Sequence, residues 1–186
     1  VPRIEVEVKL PIDDIAGLDA RIERLGARIL HPREFEDNQI YDFPDRGLVQ
    51  RGSMLRVRVL ERGALLTYKG KVRIESGMKV RDEIESSFPA AEAPALLEIL
   101  SALGLAPVFR YQKYRTTWGM PGLLITLDET PIGSYIELEG DRMQIDATAA
   151  RLGYSPDDYI TSSYRDLYLQ ASSGLTGAID QMLFPA

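Results

Sequence analysis

Apolar and polar residues alternate along most of the chain, and this period of two predicts eight strands, at about 2–10, 35–43, 54–60, 64–70, 77–88, 107–117, 122–129 and 134–140. Helical spacing is confined to the connections. Over 13–25, Ile15, Leu18, Ile22 and Leu25 form one stripe ending at Gly26, with Asp13 or Asp14 placed to cap it. A second helix is predicted after Pro94, burying Leu96, Leu97, Leu100 and Leu103 and stopping at Gly104, and shorter helices fit about 144–152 and 162–170. No repeat or linker interrupts residues 1–170, which are read as one domain. The remaining 171–186 are rich in Ser, Gly and Ala, but Ile179, Met182, Leu183 and Phe184 give this tail apolar residues with which to dock.

In an ordinary half-buried strand one set of side chains faces the core and the other faces water. Here the second set is charged in almost every strand. Glu5, Glu7 and Lys9 oppose Ile4, Val6, Val8 and Leu10; Arg56 and Arg58 oppose Leu55, Val57 and Val59; Thr67 and Lys69 oppose Leu66 and Tyr68. Lys79, Arg81, Glu83 and Glu85 oppose Met78, Val80 and Ile84, while Lys113 and Arg115 share a face. Thr126 and Asp128 oppose Ile125 and Leu127, and Glu137 and Glu139 oppose Ile136 and Leu138. For one strand alone, the solvated face of a sandwich is the simpler account. Together, the sorting of basic and acidic pairs onto different strands, and helices whose stripes need a surface to cover, favour another solution. The expected fold is α+β: a closed eight-stranded antiparallel barrel, charged face inward, with the helices outside.

Such a lumen holds eight bases, Lys9, Arg56, Arg58, Lys69, Lys79, Arg81, Lys113 and Arg115, against seven acids, Glu5, Glu7, Glu83, Glu85, Asp128, Glu137 and Glu139. Like charges about 4 Å apart interact by roughly 4 kcal/mol at an effective dielectric near 20, so clusters call for ligands of opposite sign. A polyanion suits the bases and divalent metals suit the acids. A metal-bound polyphosphate combines the two.

Composition narrows the alternatives. The 186 residues carry 22 Lys+Arg and 28 Asp+Glu, a net charge of −6, with a pI near 4.9, which argues against nucleic-acid polymers and anionic membranes as partners. With no cysteine, disulfides, thiol nucleophiles and cysteine-ligated metals are excluded, and one histidine, His31, cannot build a multi-histidine site. The charged opening Arg3, Glu5, Glu7, Lys9 is not that of a signal peptide, and no apolar run approaches a membrane span, so a soluble, cytoplasmic protein is expected. No Walker loop, dinucleotide fingerprint, G-x-S-x-G elbow or Ser-His-Asp set is present. His31, before Pro32, reads as a surface or cap residue; Tyr41, Tyr111 and Tyr135 are expected near the lumen or its mouths, as base-stacking or packing residues.

The opening IEVEVK resembles the ExExK signature of the CYTH superfamily, the triphosphate tunnel metalloenzymes. An ordered set of segments extends the resemblance over about 2–170: LRVRV at 55–59, TYKG at 67–70, KVRDEIE at 79–85, YQKYR at 111–115, LDE at 127–129, IELEG at 136–140 and SYRDLYL near the end. The nearest subgroup is the bacterial class IV adenylyl cyclase-like proteins. The resemblance implies an eight-stranded tunnel in which Glu5, Glu7, Asp128, Glu137 and Glu139 ligate Mg²⁺ or Mn²⁺. It implies that Lys9, Arg56, Arg58, Lys69, Lys79, Arg81, Lys113 and Arg115 bind the triphosphate. Glu5, Glu7, Lys9 and Asp128 would be the catalytic set, and Glu83 and Glu85 would hold basic side chains in place. The implied partner is a small triphosphate, namely ATP, tripolyphosphate or thiamine triphosphate, with a homodimer left open. The resemblance favours a class IV cyclase, making cyclic AMP and pyrophosphate, over a tripolyphosphatase or thiamine or nucleoside triphosphatase. A non-catalytic polyphosphate or nucleotide binder would have little use for the acids, and a carrier of apolar ligands would need an apolar lumen.

Overall fold

A computed structural model describes residues 3–172 and 181–185. Eight long strands form the barrel: β1 (Arg3–Ile12), β2 (Arg28–Asp42), β3 (Met54–Leu60), β4 (Gly63–Lys69), β6 (Met78–Phe88), β7 (Ala106–Met120), β8 (Leu123–Thr130) and β9 (Gly133–Gly140), with the short β5 (Arg73–Glu75) paired on β6. The order runs β1-β9-β8-β7-β2-β3-β4-β6, and β6 pairs back onto β1 through Arg3↔Glu83, Glu5↔Arg81 and Glu7↔Lys79. The sheet is therefore closed, every barrel pairing is antiparallel, and the expected architecture is borne out. Closure removes the unpaired strand edges of an open sheet.

The apolar core lies outside the barrel. Val8 and Leu10, Ile125 and Leu127, and Ile136 and Leu138 turn outward from β1, β8 and β9. They pack against Leu18 and Ile22 of α1 (Leu18–Arg24) and Ile145, Ala149 and Leu152 of α4 (Arg142–Leu152). A second cluster joins Tyr41 and Val57 to Leu48 of the one-turn α2 (Gly47–Gln50) and Leu100 of α3 (Ala93–Ala102). Tyr41 is thereby a packing residue of the outer layer. At one barrel end, Phe109 and Tyr111 of β7 meet Tyr164 of α5 (Tyr164–Ala171). No helix of the described residues is long and apolar enough to cross a membrane.

Local chemistry explains where the structure departs from the periodicity. β2 begins seven residues before the predicted start, because register shifts between Ile29 and His31 and between His31 and Glu34 scramble the alternation around Pro32 without breaking the pairing to β7. α1 is shorter than its apolar stripe: Gly17, at φ +67°, is its N-cap, and Asp14 instead accepts a hydrogen bond from Ala16 N at 2.8 Å in a preceding turn. The tail forms β10 (Gln181–Met182), parallel to Arg110 and Tyr111 of β7, with Met182 buried and the Phe184 ring 5.3 Å from Tyr114. Ile179 lies outside the described residues.

Because this outer layer is the core, trimming it should unfold the barrel without touching a lumen charge. Leu138→Ala, at a fully buried outward position, is expected to lower unfolding free energy by about 2–5 kcal/mol. A urea midpoint equal to that of the parent chain would contradict this placement of the core.

Candidate functional site

The inward faces of the strands enclose a cavity of about 360 Å³. Its lining includes Glu5, Glu7 and Lys9 of β1, Arg56 and Arg58 of β3, Lys69 of β4, Lys79 and Arg81 of β6, Lys113 and Arg115 of β7, and Glu137 and Glu139 of β9. Strand parity alone brings these residues together from six strands. Most are buried, and cross-strand pairing decides which charges meet.

On the β1–β6–β9 side, acids and bases interleave. Glu5 accepts from Lys69 Nζ at 2.5 Å and Arg81 Nε at 2.8 Å, and Glu7 takes Lys79 Nζ at 3.0 Å. Lys9 Nζ lies 3.1 Å from Glu137, which also pairs with Arg115. Burial alone would raise the Glu7 carboxyl, but Lys69 and Lys79 outweigh it and hold the group well below the usual range; Lys9 and Arg115 do the same for Glu137. Glu139 is different. It faces Glu7 across the β1–β9 register, its one ion pair among the described residues is with the half-exposed Arg3 at 3.1 Å, and burial and the nearby Glu5 push its pKa up to about 7.

The β2–β3–β7 side is richer in cations than in partners for them. Arg58 Nη1 reaches Glu36 at 3.2 Å, and Arg56 Nη1 donates to the Tyr111 hydroxyl at 3.3 Å. Among the described residues no carboxylate pairs with Arg56, and the Nε atoms of both arginines are buried without a partner. Burial lowers the Arg58 pKa, with Arg56 adding to the effect.

Asp128 stands apart from the other expected ligands. It is fully buried and does not line the cavity; both oxygens accept from Arg115 at 2.5 Å, and one also takes Lys113 Nζ at 2.7 Å and the Tyr164 hydroxyl at 2.6 Å. In this geometry it anchors two bases from behind. Glu83 lines the cavity and also holds bases, 2.8 Å from Lys69 and 2.6 Å from Arg3, and its carboxyl is lowered to about 2, Lys69 overcoming burial. Glu85 is exposed and accepts from Thr67 at 2.9 Å.

Several site residues were not anticipated. Glu36, 1% exposed, faces inward from β2, where the run Glu36-Asp37-Asn38-Gln39 is polar on both faces and parity marks neither as the inward one. Tyr164 enters from α5, its ring 4.6 Å from Lys9 Nζ and 5.1 Å from Lys113 Nζ. Burial and then Asp128 raise the tyrosine pKa well above its ordinary value, so the hydroxyl stays a donor. Lys9 is bound to this segment through backbone hydrogen bonds with Ile160 and through its Nζ to Ser162 O at 3.4 Å. Tyr111 lines the cavity, Tyr135 packs on Tyr164 at 5.7 Å, and His31 lines the cavity from β2.

Against this geometry, the CYTH domain model matches residues 3–164. The chain belongs to the CYTH domain family. A candidate adenylate cyclase of Methanocaldococcus jannaschii is 26% identical over 175 residues, covering 88% of this chain and 98% of that protein. An inorganic triphosphatase of Haemophilus influenzae is 28% identical over 123 residues, 61% of this chain and 35% of its own. The crystal structure of a candidate adenylate cyclase from Vibrio parahaemolyticus superposes with a TM-score of 0.78 at 20% identity, covering 89% of this chain and 98% of its own. The relatives thus carry two reaction names.

The acids suit a hard divalent cation in kind, being carboxylates beside a cavity with room for water and phosphate oxygens. Among the described residues, no three acidic or histidine side chains converge as a formed metal site; lysines and arginines hold Glu5, Glu7 and Glu137. Glu139 has the least compensated charge. Its folded pKa, about 7, lies above the ordinary 4.5, so the fold favours the protonated acid and loses stability as pH rises from about 4.5 through 7. Glu139→Gln cannot ionise and is expected to escape that loss. In chelator, the variant should match the parent near pH 4.5 and exceed it above pH 7 by roughly 1–3 kcal/mol, the lower end reflecting partial exposure. Parallel stability curves over this range would remove Glu139 as the titrating group.

Proposed function

We propose that this CYTH protein is a divalent-metal-dependent enzyme acting on a triphosphate held in the barrel lumen, with cyclisation of ATP to cyclic AMP and pyrophosphate as the leading reaction. Hydrolysis of inorganic, thiamine or nucleoside triphosphate is the alternative on the same lining. The observation that carries the proposal is the pair Arg56 and Arg58: buried inward cations, with partnerless Nε atoms and one carboxylate, Glu36, between them. A buried guanidinium short of acceptors is costly unless an anion completes it, and phosphate oxygens match its planar fork. The names of the relatives support both reactions.

In this reading Arg56, Arg58, Lys113 and Arg115 bind phosphate oxygens from one wall, and Lys9, Lys69, Lys79 and Arg81 from the other. Asp128 and Tyr164 fix Lys113 and Arg115, so these bases are oriented before substrate arrives. Such preorganised charge stabilises the phosphoryl transition state without reorganisation. Glu5, Glu7, Glu137 and Glu139 would hold Mg²⁺ or Mn²⁺, which when bound neutralises phosphate charge and lowers the pKa of an attacking hydroxyl or water. As a triphosphate enters, Lys and Arg can exchange carboxylate for phosphate partners, freeing acid oxygens for the cation.

Incubation with ATP, tripolyphosphate and thiamine triphosphate, each with Mg²⁺ or Mn²⁺, followed by product identification, tests the reaction. Cyclic AMP and pyrophosphate from ATP would mark a cyclase, and inorganic phosphate a triphosphatase. Failure of all three to react or bind would overturn the proposal. Arg56→Ala is expected to cost about 1.5–3 kcal/mol, tenfold to a hundredfold or more in kcat/KM, with Arg56→Lys recovering part of it. Glu5→Gln should sharply reduce turnover at saturating Mg²⁺ while the protein stays folded by circular dichroism; unchanged turnover would take Glu5 out of the metal site.

A further inference from the structure

Among the described residues, seven buried side-chain atoms have no hydrogen-bond partner, and five of them belong to one wall of the barrel: Glu36 Oε2, both amide atoms of Asn38, and the Nε atoms of Arg56 and Arg58. They are complementary in kind, two acceptors and three donors. Strand register brings them together. Asn38 of β2 is directly opposite Arg58 of β3 and Tyr111 of β7, and it shares the inward face with Glu36 and Ile40. Side chains so opposed have Cβ atoms about 4.5–5.5 Å apart, close enough for one hydrogen bond or one bridging water. Glu36, Arg58 and Tyr111 line the cavity, whereas Asn38 is fully buried and does not. It therefore stands behind Arg58, in the place that Asp128 takes behind Lys113 and Arg115. An amide with both polar atoms buried and unpaired is costly, and a leucine of similar size would fill the space without that cost.

We infer that Asn38 is a positioning residue for Arg58: its amide oxygen accepts from the guanidinium Nε, directly or through one water, when phosphate oxygens take the Nη atoms. The inference rests on the lumen being a triphosphate site. Phosphate drawing on the outer edge of the planar fork leaves Nε to be fixed from behind. A neutral acceptor does this without cancelling the charge that attracts the anion. Asp128 holds its bases with a charge, and Asn38 holds Arg58 with a dipole.

The test is a double-mutant cycle read as affinity, by calorimetry in Mg²⁺, for tripolyphosphate or ATP, whichever the parent chain binds more tightly. Asn38→Leu removes both polar atoms at similar volume and should weaken binding roughly tenfold. The thermal midpoint of the ligand-free variant should stay at or above that of the parent. In the Arg58→Ala background the same substitution should change affinity by less than about twofold, because the group that Asn38 orients is gone. Equal losses in the two backgrounds, with a lowered midpoint, are the signature of packing and would overturn the inference, as would parental affinity in Asn38→Leu. Either result leaves the triphosphate lumen standing. Should Asn38→Leu not fold, Asn38→Ala carries the same cycle. If the parent chain binds neither ligand, the triphosphate lumen itself is refuted and the role of Asn38 with it.

Discussion

Mutual compensation of charge inside the closed barrel is the constraint on which the rest of the structure depends. Buried ion pairs seldom stabilise a fold, because desolvation of both partners consumes most of the Coulomb attraction. A lumen lined with lysine, arginine and glutamate therefore cannot serve as the core. The apolar residues are displaced to the outside, where Leu10, Ile125 and Leu138 pack beneath α1 and α4, and this layer supplies the favourable burial. The helices are less a decoration of the barrel than the condition for its having a charged interior.

Compensation is uneven around the lumen, and the unevenness has chemical meaning. Around Glu5, Glu7 and Glu137 almost every charge has an opposite, and lysines and arginines keep Glu7 and Glu137 ionised in spite of burial. Arg56 relies on a tyrosine hydroxyl, and at Glu139 burial and the nearby Glu5 outweigh the ion pair with Arg3. One wall is short of negative charge and one position opposite it is short of positive charge. A phosphate chain with a divalent cation would relieve both deficits at once, and reaction class would then turn on how the substrate lies rather than on which side chains surround it.

The sequence is unusually legible here because a strand has a strict period of two. Once charges recur at every second position of β1, β6 and β9, the inward set follows without long-range information, as does the need for helices outside. Parity fails where the backbone is irregular, as the shifts around His31 and Pro32 concealed the early start of β2, and where both faces are polar, as from Glu36 to Gln39. It also has no depth. Asp128 shares the inward face with Thr126, yet only tertiary contacts from Lys113, Arg115 and Tyr164 reveal that it sits behind the cavity. Tyr164, on a helix and 36 positions from the aspartate it touches, carries no strand signal at all.

The hydrogen bonds between Lys9 and Ile160 couple nearly the two ends of the described chain. Barrel closure by β1 and β6, the seating of β9 on β1 and the arrival of Tyr164 behind Lys113 all join segments distant in sequence, a topology associated with slow folding. During synthesis, β1 would emerge with three acids and bases of its own and wait for β6, β9 and finally the 160–164 segment before those charges are enclosed. In that order the lumen charges would stay hydrated until the 160–164 segment arrives, and water would spare them burial without partners.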